Sequence, residues 1–218
     1  MKSVHENPFF FAAFAVWLIL GAVWLFSSET GDAILFWSAH RSAFGDFFFR
    51  HVTRLGEGMA YFAVIFLAIW FRLRHAILIS AMGLTVLAAA NAAKAIFAQP
   101  RPAAFLRDSG RLDDINLVDG VDVHFGLSSF PSGHSMGAFA LFAILALLIP
   151  YKKLPALVFF LLALAVAISR IYLVQHFFKD VYAGSIFGVF IALAFWSYSQ
   201  RFPLDTPTWY NKRPKLKS

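Results

Sequence analysis

Residues 169–180 read SRIYLVQHFFKD and stand between two long apolar runs. Arg170, His176 and Asp180 bring a cation, an imidazole and a carboxylate to the edges of these runs. Ionisable groups at the edge of hydrocarbon are costly, so their usual reason is function. His176 and Asp180 are four residues apart, a spacing that on a helix places both on one face. We therefore expect Asp180 to hold one imidazole nitrogen and leave the other free to react.

The composition places the chain among membrane proteins. Of its 218 residues, 60% are hydrophobic and only 14% are charged, whereas soluble domains carry about 25% charged residues. The net charge of +7 lies mostly in short connections and near the C-terminus, which indicates topology signals and not a nucleic-acid-binding face. Cysteine is absent, which excludes disulfides, thiolate metal sites and a cysteine nucleophile.

The apolar runs predict an all-α fold, an integral membrane bundle of six transmembrane helices in a single domain over residues 1–218. A spanning helix needs about 20 mostly apolar residues. Residues 27–58 mix aromatic and charged side chains, and we interpret them as an interfacial amphipathic segment with breaks at Gly31 and Gly45 and a structural role. The predicted spans are Pro8–Phe26, Met59–Phe71, Ala76–Phe97, Pro131–Ile149, Pro155–Val174 and His176–Ser199.

Basic residues in the short connections predict the orientation. With six spans, Arg72 and Arg74, Lys152 and Lys153, and the basic C-terminal tail all fall on one side. The positive-inside rule makes that side, which both termini share, cytoplasmic. The polar lead 1–7 precedes an apolar run without a small-residue cleavage site, so we expect a retained first span. Residues 99–130 and the turn near His176 then face outward, to the periplasm or exterior in a bacterium or the lumen in an organelle.

Two further clusters fall on the same predicted face. Lys94 alone suits a snorkelling anchor as well as a functional cation. Arg101, two helical turns later, is expected near the same face. A planar arginine guanidinium beside the compact charge of a lysine ammonium suits a polyanion. Residues 130–135, FPSGHS, begin a span with proline at the expected first helical position, which leaves backbone N–H groups for an anion. A plain Ser/Pro helix start with an interfacial His134 is the competing interpretation.

The combined pattern closely resembles the type 2 phosphatidic acid phosphatase family, the membrane relatives of vanadium haloperoxidases and class A acid phosphatases. That family has three motifs, and every defining position is filled. They match here as Lys94 with Arg101-Pro102, as Pro131-Ser132-Gly133-His134, and as Ser169-Arg170 with His176 and Asp180.

The resemblance implies a role for each matched residue. His176 would be the nucleophile that forms a phosphohistidine, Asp180 would orient it, and His134 would protonate the leaving group and later activate water. No metal or other cofactor is implied, and no carboxylate cluster near the motifs has convincing metal-ligand spacing. The expected partners are the bilayer and a lipid phosphate, with no nucleic acid. The phosphate-binding residues would be Lys94, Arg101, Ser132, Gly133 and Arg170.

The function expected from this resemblance is a lipid phosphatase at the outer face of the membrane, in a bacterium the inner membrane. Its substrate would be phosphatidate, phosphatidylglycerol phosphate, undecaprenyl pyrophosphate or a lipid A phosphate. A compact six-span enzyme with an outward site suits carrier recycling, so polyprenyl pyrophosphate is slightly favoured. A transporter lined by Lys and His and a non-catalytic lipid-binding relative are the alternatives. Motif spacing argues against the first, and the complete set of nucleophile, acid and cations argues against the second.

Overall fold

The computed structural model of the chain describes residues 8–149 and 153–202. These residues form helices joined by turns, with no strand among them. The predicted polar lead 1–7, Lys152 and the basic positions 212–217 lie outside the described residues. The helices are α1 (Pro8–Ser27), α2 (Asp32–Ala39), α3 (Ala43–Val52), α4 (Gly58–Phe71), α5 (Leu73–Phe97), α6 (Pro102–Asp108), α7 (Gly133–Leu148), α8 (Lys153–Tyr172) and α9 (Phe178–Ser199), with 3₁₀ turns at Thr53–Gly56 and Leu112–Asp114.

The length of each helix decides whether it can cross a bilayer. Within the described ranges, α1, α5, α8 and α9 are long and apolar enough, and α3 with α4 would add a fifth span bent by 57°. Helix α4 has 14 residues and α7 has 16, so each rises only about 21–24 Å against a hydrocarbon core of about 30 Å. The chain is an all-α integral membrane protein, and its six-span topology stays a prediction.

Helix α7 is the centre of the bundle. It packs against α5, α8 and α9, and twelve of its sixteen residues are buried, which explains how a short helix can stand inside the protein. Gly184 and Gly188 of α9 face it. A Cβ on Gly188 would collide with the Met136 carbonyl oxygen. Small residues four apart let two membrane helices approach to backbone contact, so α9 is held close against α7.

In the segment 27–58, only one of the two predicted helix breaks, at Gly31 and Gly45, falls where it was expected. Gly31 does interrupt the chain, with φ of 106°, a conformation that glycine adopts without strain. Gly45, predicted as a second break, instead lies inside α3, where a Cβ would be 2.7 Å from the Tyr172 hydroxyl. The interruption falls at residues 40–42, because Ser42 caps α3 by accepting the Gly45 N–H at 3.1 Å. Glycine at position 45 serves close packing.

Helix α3 presents aromatic side chains away from the bundle. Phe44, Phe47 and Phe48 are exposed, whereas Gly45 and Val52 are buried against neighbouring helices. This two-sided distribution is typical of a helix at a membrane surface. An interfacial position for the segment stays a prediction.

The end of the bundle remote from the motifs is basic. Arg74, near the start of α5, donates to the backbone carbonyls of Ser199 and Phe202 at the end of α9. Arg74, Ser199 and Phe202 line a small cavity, and Leu148 at the end of α7 lines it too. The described ends of α5, α7 and α9 therefore meet at one face, and the three motifs lie at the other.

Candidate active site

The turn after α8 places His176. Gln175 and His176 both donate their backbone N–H to the Arg170 carbonyl, at 2.9 and 3.1 Å, and Val174 has φ of 56°. This is a Schellman-type helix ending with a left-handed residue, although a β-branched valine there is strained by roughly 1–3 kcal/mol. The expectation that His176 and Asp180 share a helical face is therefore wrong, because α9 begins only at Phe178.

His176 and Asp180 nevertheless meet in the interior. The imidazole Nδ1 lies 3.6 Å from the Asp180 Oδ2, and the two residues are 1% and 0% exposed. The same Oδ2 accepts the Phe177 N–H at 2.9 Å and the Ser129 hydroxyl at 2.5 Å. These two donors hold the carboxylate still, so it can direct Nδ1 and leave Nε2 for chemistry.

His176 lies in the connection between α8 and α9, outside the spanning helices. Burial lowers the pKa of its imidazole to about 4, while the neighbouring Asp180 carboxylate opposes that change and the charges of Arg170 and Arg101 reinforce it. Removing an imidazolium from water disfavours its charged form. At neutral pH, His176 is therefore the neutral base, which is the form that has a lone pair for attack.

The Pro131–His134 motif forms the start of α7. The helix begins at Gly133, with Ser132 as its N-cap, so Pro131 precedes the cap and does not occupy the predicted first helical position. Ser132 is buried, and its hydroxyl accepts from the Ser135 N–H at 3.3 Å and the Ser135 hydroxyl at 2.9 Å. First-turn N–H groups have no partner within their own helix, and here they stand at the motif end of the bundle.

Lys94 and Gly133 face each other across this helix start. A Cβ built on Gly133 would lie 3.6 Å from the Lys94 ammonium nitrogen. The ammonium can therefore share an anion with the backbone donors of the α7 first turn.

Arg101 reaches the site by a different path from the predicted one. Helix α5 ends at Phe97, so Lys94 and Arg101 do not share a helix face. Arg101 instead begins α6, and its guanidinium donates to the Ser128 hydroxyl at 3.2 Å and to the Gln175 carbonyl at 3.3 Å. Its partner Gln175 directly precedes His176. The charge of Arg101 acts on Lys94, so both cations do reach one site.

Arg170 is the most enclosed of the three cations. It lies in the last turn of α8, is 8% exposed, and donates from Nη1 to the Thr53 hydroxyl at 2.8 Å. Its Nε has no hydrogen-bond partner in the part of the chain that the structure describes. A buried guanidinium with unused donors is suited to an incoming oxyanion.

The structure brings the predicted residues together at one end of the bundle. His134 lies within electrostatic range of His176 and of all three cations, and Ser132 donates its N–H to the Asp180 carbonyl at 3.0 Å. The site can therefore hold a phosphate between cations and helix N–H groups, with both imidazoles close by. The residues that converge are Lys94, Arg101, Ser132, Gly133, His134, Arg170, His176 and Asp180.

Several residues at the site were not predicted. Thr53 and Glu57 come from the segment 27–58, for which a structural role was favoured over a chemical one, and the Glu57 Oε1 lies 3.6 Å from the His134 Nε2. Ser129 comes from the connection 99–130, which was expected to face outward. Gln175 donates to the Asp122 carbonyl at 2.8 Å and joins that loop to the His176 turn. No local pattern in the sequence marks Thr53, Glu57 or Ser129, because each reaches the site through a long-range contact. Gln175 lies within the third motif, at a position that the motif does not define.

An apolar cavity of about 560 Å³ opens beside Lys94 and His134. It runs between α4 and α5 and is bounded by α7. Glu57 and Asn91 are among its few polar residues. Its apolar lining includes Tyr61, Phe62, Ile65, Leu84, Val86 and Leu87.

Over residues 8–149 and 153–202, no group of three or more His, Cys, Asp or Glu side chains is arranged to hold a metal ion. The ionisable groups that the structure describes at the site are the three cations, two histidines, Asp180 and Glu57.

Apolar helices long enough to span a bilayer, with a cationic pocket containing two histidines at one end of the bundle, define the chain as an integral membrane protein with an anion-binding site. The chain belongs to the PAP2 superfamily, whose family model matches residues 74–203. The family resemblance predicted from the three motifs is thereby confirmed.

Individual relatives come from bacteria. Phosphatidylglycerophosphatase B of Bacillus subtilis (strain 168) is 36% identical over 77 residues, which are 32% of this chain and 38% of that protein. The crystal structure of Aquifex aeolicus LpxE is similar with a TM-score of 0.66 and 27% identity, over 78% of this chain and 96% of that one.

A second solved structure, the first transmembrane PAP2 type phosphatidylglycerolphosphate phosphatase from Bacillus subtilis, has the same fold. Its TM-score is 0.66 with 22% identity, over 89% of this chain and 98% of that one.

Proposed function

We propose that the chain is an integral membrane lipid phosphatase that works through a phosphohistidine on His176, without a metal ion. The observation that carries this proposal is the buried His176–Asp180 pair, with Nδ1 and Oδ2 3.6 Å apart, facing His134 and three cations. A positioned, neutral imidazole beside an anion site is the arrangement needed for nucleophilic attack on phosphorus.

The first step forms the phosphoenzyme. The Nε2 of His176 attacks phosphorus in line, the bond from phosphorus to the leaving oxygen breaks, and His134 gives its proton to that oxygen. Asp180 stabilises the positive charge that develops on His176. Lys94, Arg101 and Arg170, with Ser132 and the N–H groups beginning at Gly133, stabilise the charge on the three equatorial oxygens.

The second step releases phosphate. His134, now neutral, takes a proton from water, the water oxygen bonds to phosphorus, and the bond from phosphorus to His176 breaks. The three cations supply the electrostatic stabilisation that phosphoryl transfer requires. Because they remain in place, the site returns to its starting state after each turnover.

The apolar cavity supports a lipid substrate. It adjoins Lys94 and His134 and is lined mainly by side chains of α4 and α5. Burial of each CH₂ group contributes about 0.8 kcal/mol, so a chain lying there would bind far better than a soluble phosphate. The ester oxygen would then lie at the end of the cavity nearest His134.

Among lipid phosphates, phosphatidylglycerol phosphate is the first candidate. The curated relative with 36% identity over 77 residues has the name phosphatidylglycerophosphatase B, and this outweighs the preference for polyprenyl pyrophosphate drawn from compactness alone. Phosphatidate, undecaprenyl pyrophosphate and lipid A phosphates are the comparison substrates.

The proposal includes six spans, with α4 and α7 as the short ones, in the inner membrane of a bacterium. The basic end of the bundle near Arg74 faces the cytoplasm, and the site faces outward. Accessibility labels at position 72 and at the exposed position 117 test this orientation. Position 72 should react only from the cytoplasm and position 117 only from outside, and the reverse result would overturn the orientation but leave the chemistry intact.

The decisive experiment is phosphate release from this lipid panel by the purified protein in the presence of a chelator. We expect turnover by the wild type and none by His176→Ala. Turnover that survives His176→Ala, or that requires a divalent metal, would contradict the mechanism. Binding of lipid without turnover by the wild type would identify a non-catalytic relative, and passage of the phosphate across a proteoliposome membrane would identify a transporter.

A further inference from the structure

The turn Thr53–Gly56 and the following Glu57 lie before the residues that the superfamily model matches, 74–203. This segment nevertheless runs directly against the start of α7. A Cβ on Gly56 would be 2.8 Å from the His134 carbonyl oxygen and 2.8 Å from a methyl group of Val166. Glycine at position 56 therefore permits the close approach that delivers Glu57 to His134.

Two side chains of this segment contact the site. The Thr53 hydroxyl accepts from the Arg170 guanidinium at 2.8 Å. The Glu57 Oε1 lies 3.6 Å from the His134 Nε2, with the two side chains 44% and 30% exposed. Both contacts reach groups that the phosphoryl transfer uses, and both come from one short turn.

The charges around His134 are unbalanced without Glu57. Lys94 of α5, Arg101 before α6 and Arg170 of α8 all act on it with the same sign. Asp180 is held by its donors on the His176 side. Glu57 supplies the carboxylate beside the His134 Nε2, at 3.6 Å. A proton on His134 is repelled by the cations and is stabilised by Glu57.

We propose that Glu57 is a positioning residue for the general acid. Its carboxylate accepts the Nε2–H of protonated His134, so the ring is oriented with its Nδ1–H toward the leaving oxygen. When the bond to phosphorus breaks, the Nδ1 proton passes to that oxygen, and His134 remains neutral with Nε2–H on Glu57. This inference rests on the proposed function, because it assigns a partner to the acid of that reaction.

The quality of the leaving group distinguishes this role from a structural one. A lipid alkoxide is a poor leaving group and needs the proton, whereas p-nitrophenolate is stable without it. Glu57→Gln should therefore lower kcat/KM for phosphatidylglycerol phosphate about tenfold, and for p-nitrophenyl phosphate by less than about threefold. The matched control is Glu29→Gln, an exposed glutamate at the end of α1, which should change neither value.

The pH profile supplies a second readout. The acid acts in its protonated form, so activity is lost as pH rises through its titration. Because Glu57 favours the protonated form, Glu57→Gln should move the alkaline limb of kcat/KM for the lipid to lower pH. Glu57→Asp keeps the charge and should retain a limb closer to that of the wild type.

The outcomes separate this inference from the proposed function. Wild-type protein that hydrolyses neither substrate would refute the proposed function itself. Active wild type with equal losses on both substrates in Glu57→Gln, or with an unmoved alkaline limb, would overturn the role of Glu57 alone. A thermal unfolding curve of Glu57→Gln that matches the wild type would show that the loss does not arise from misfolding.

Discussion

Gly184 of α9 lies directly against the carbonyl oxygen of Ser132, where an added Cβ would be only 2.7 Å away. The N–H of the same Ser132 donates to the Asp180 carbonyl at 3.0 Å. The first two turns of α9 therefore hold the start of α7 from both sides of one residue. Both the packing of α9 on α7 and the position of Asp180, the partner of His176, relative to the start of α7 therefore depend on Ser132.

Gly184→Ala should damage both stability and activity. The new methyl group presses on backbone atoms, which cannot turn aside, and overpacking of this kind costs about 1–3 kcal/mol. We expect a lower thermal unfolding temperature and at least a tenfold loss of phosphate release. Gly58→Ala is the matched control for the unfolding temperature, because its Cβ would meet only Phe62 at 3.9 Å. An unchanged unfolding temperature in Gly184→Ala would show that α9 can shift without loss.

Ser129→Ala should reduce turnover without abolishing it. The variant removes the 2.5 Å hydrogen bond to the Asp180 Oδ2, while the Phe177 N–H still holds that oxygen. A hydrogen bond to a charged group contributes about 1.5–3 kcal/mol, which corresponds to a fall in kcat of about tenfold or more. Ser109→Ala, in the exposed connection after α6, is the control. Equal rates for Ser129→Ala and the wild type would remove Ser129 from the site.

Arg170→Lys should lose most of the activity. A lysine keeps the charge but cannot both donate to Thr53, at 2.8 Å from the guanidinium, and clamp a phosphate with a planar fork. We expect at least a hundredfold lower kcat/KM, measured as phosphate release. Arg54→Lys provides the matched control, since Arg54 is exposed on the same 3₁₀ turn that contains Thr53. Near-normal turnover by Arg170→Lys would exclude a bidentate role.

Acidification should destabilise the protein through His176. Its folded-state pKa of about 4 lies below the ordinary value of 6.5. Between these two pH values, His176 is protonated in the unfolded chain and neutral in the folded chain. Stability from this group is complete above pH 6.5 and is lost as pH falls toward 4. Between pH 7 and pH 5, the wild type should therefore lose more thermal stability than His176→Asn, which has no proton to bind. Equal losses would contradict a neutral, buried imidazole.

Local features of the chain were predictable from residue order. The apolar runs, the low charge and the three motifs are each properties of short stretches, and they led to the helical membrane class and the family. The residues at the site were also recognisable, because the motifs fall near helix ends at one predicted face. For two pairs of residues, the expectation that both members lie on one face of a single helix was wrong. Lys94 and Arg101, and likewise His176 and Asp180, meet across turns and not along one helix.

What the motifs could not predict is set by contacts between distant parts of the chain. The bend before α4, with glycine at position 56 against His134, brings Thr53 and Glu57 to the site. The connection before α7 likewise brings Ser129 to Asp180. A motif records residues that are near in sequence, whereas these positions depend on how helices pack, and packing is determined by the whole chain. The sequence is therefore sufficient to predict which motif side chains meet at this end of the bundle, and the tertiary structure decides which neighbours orient them.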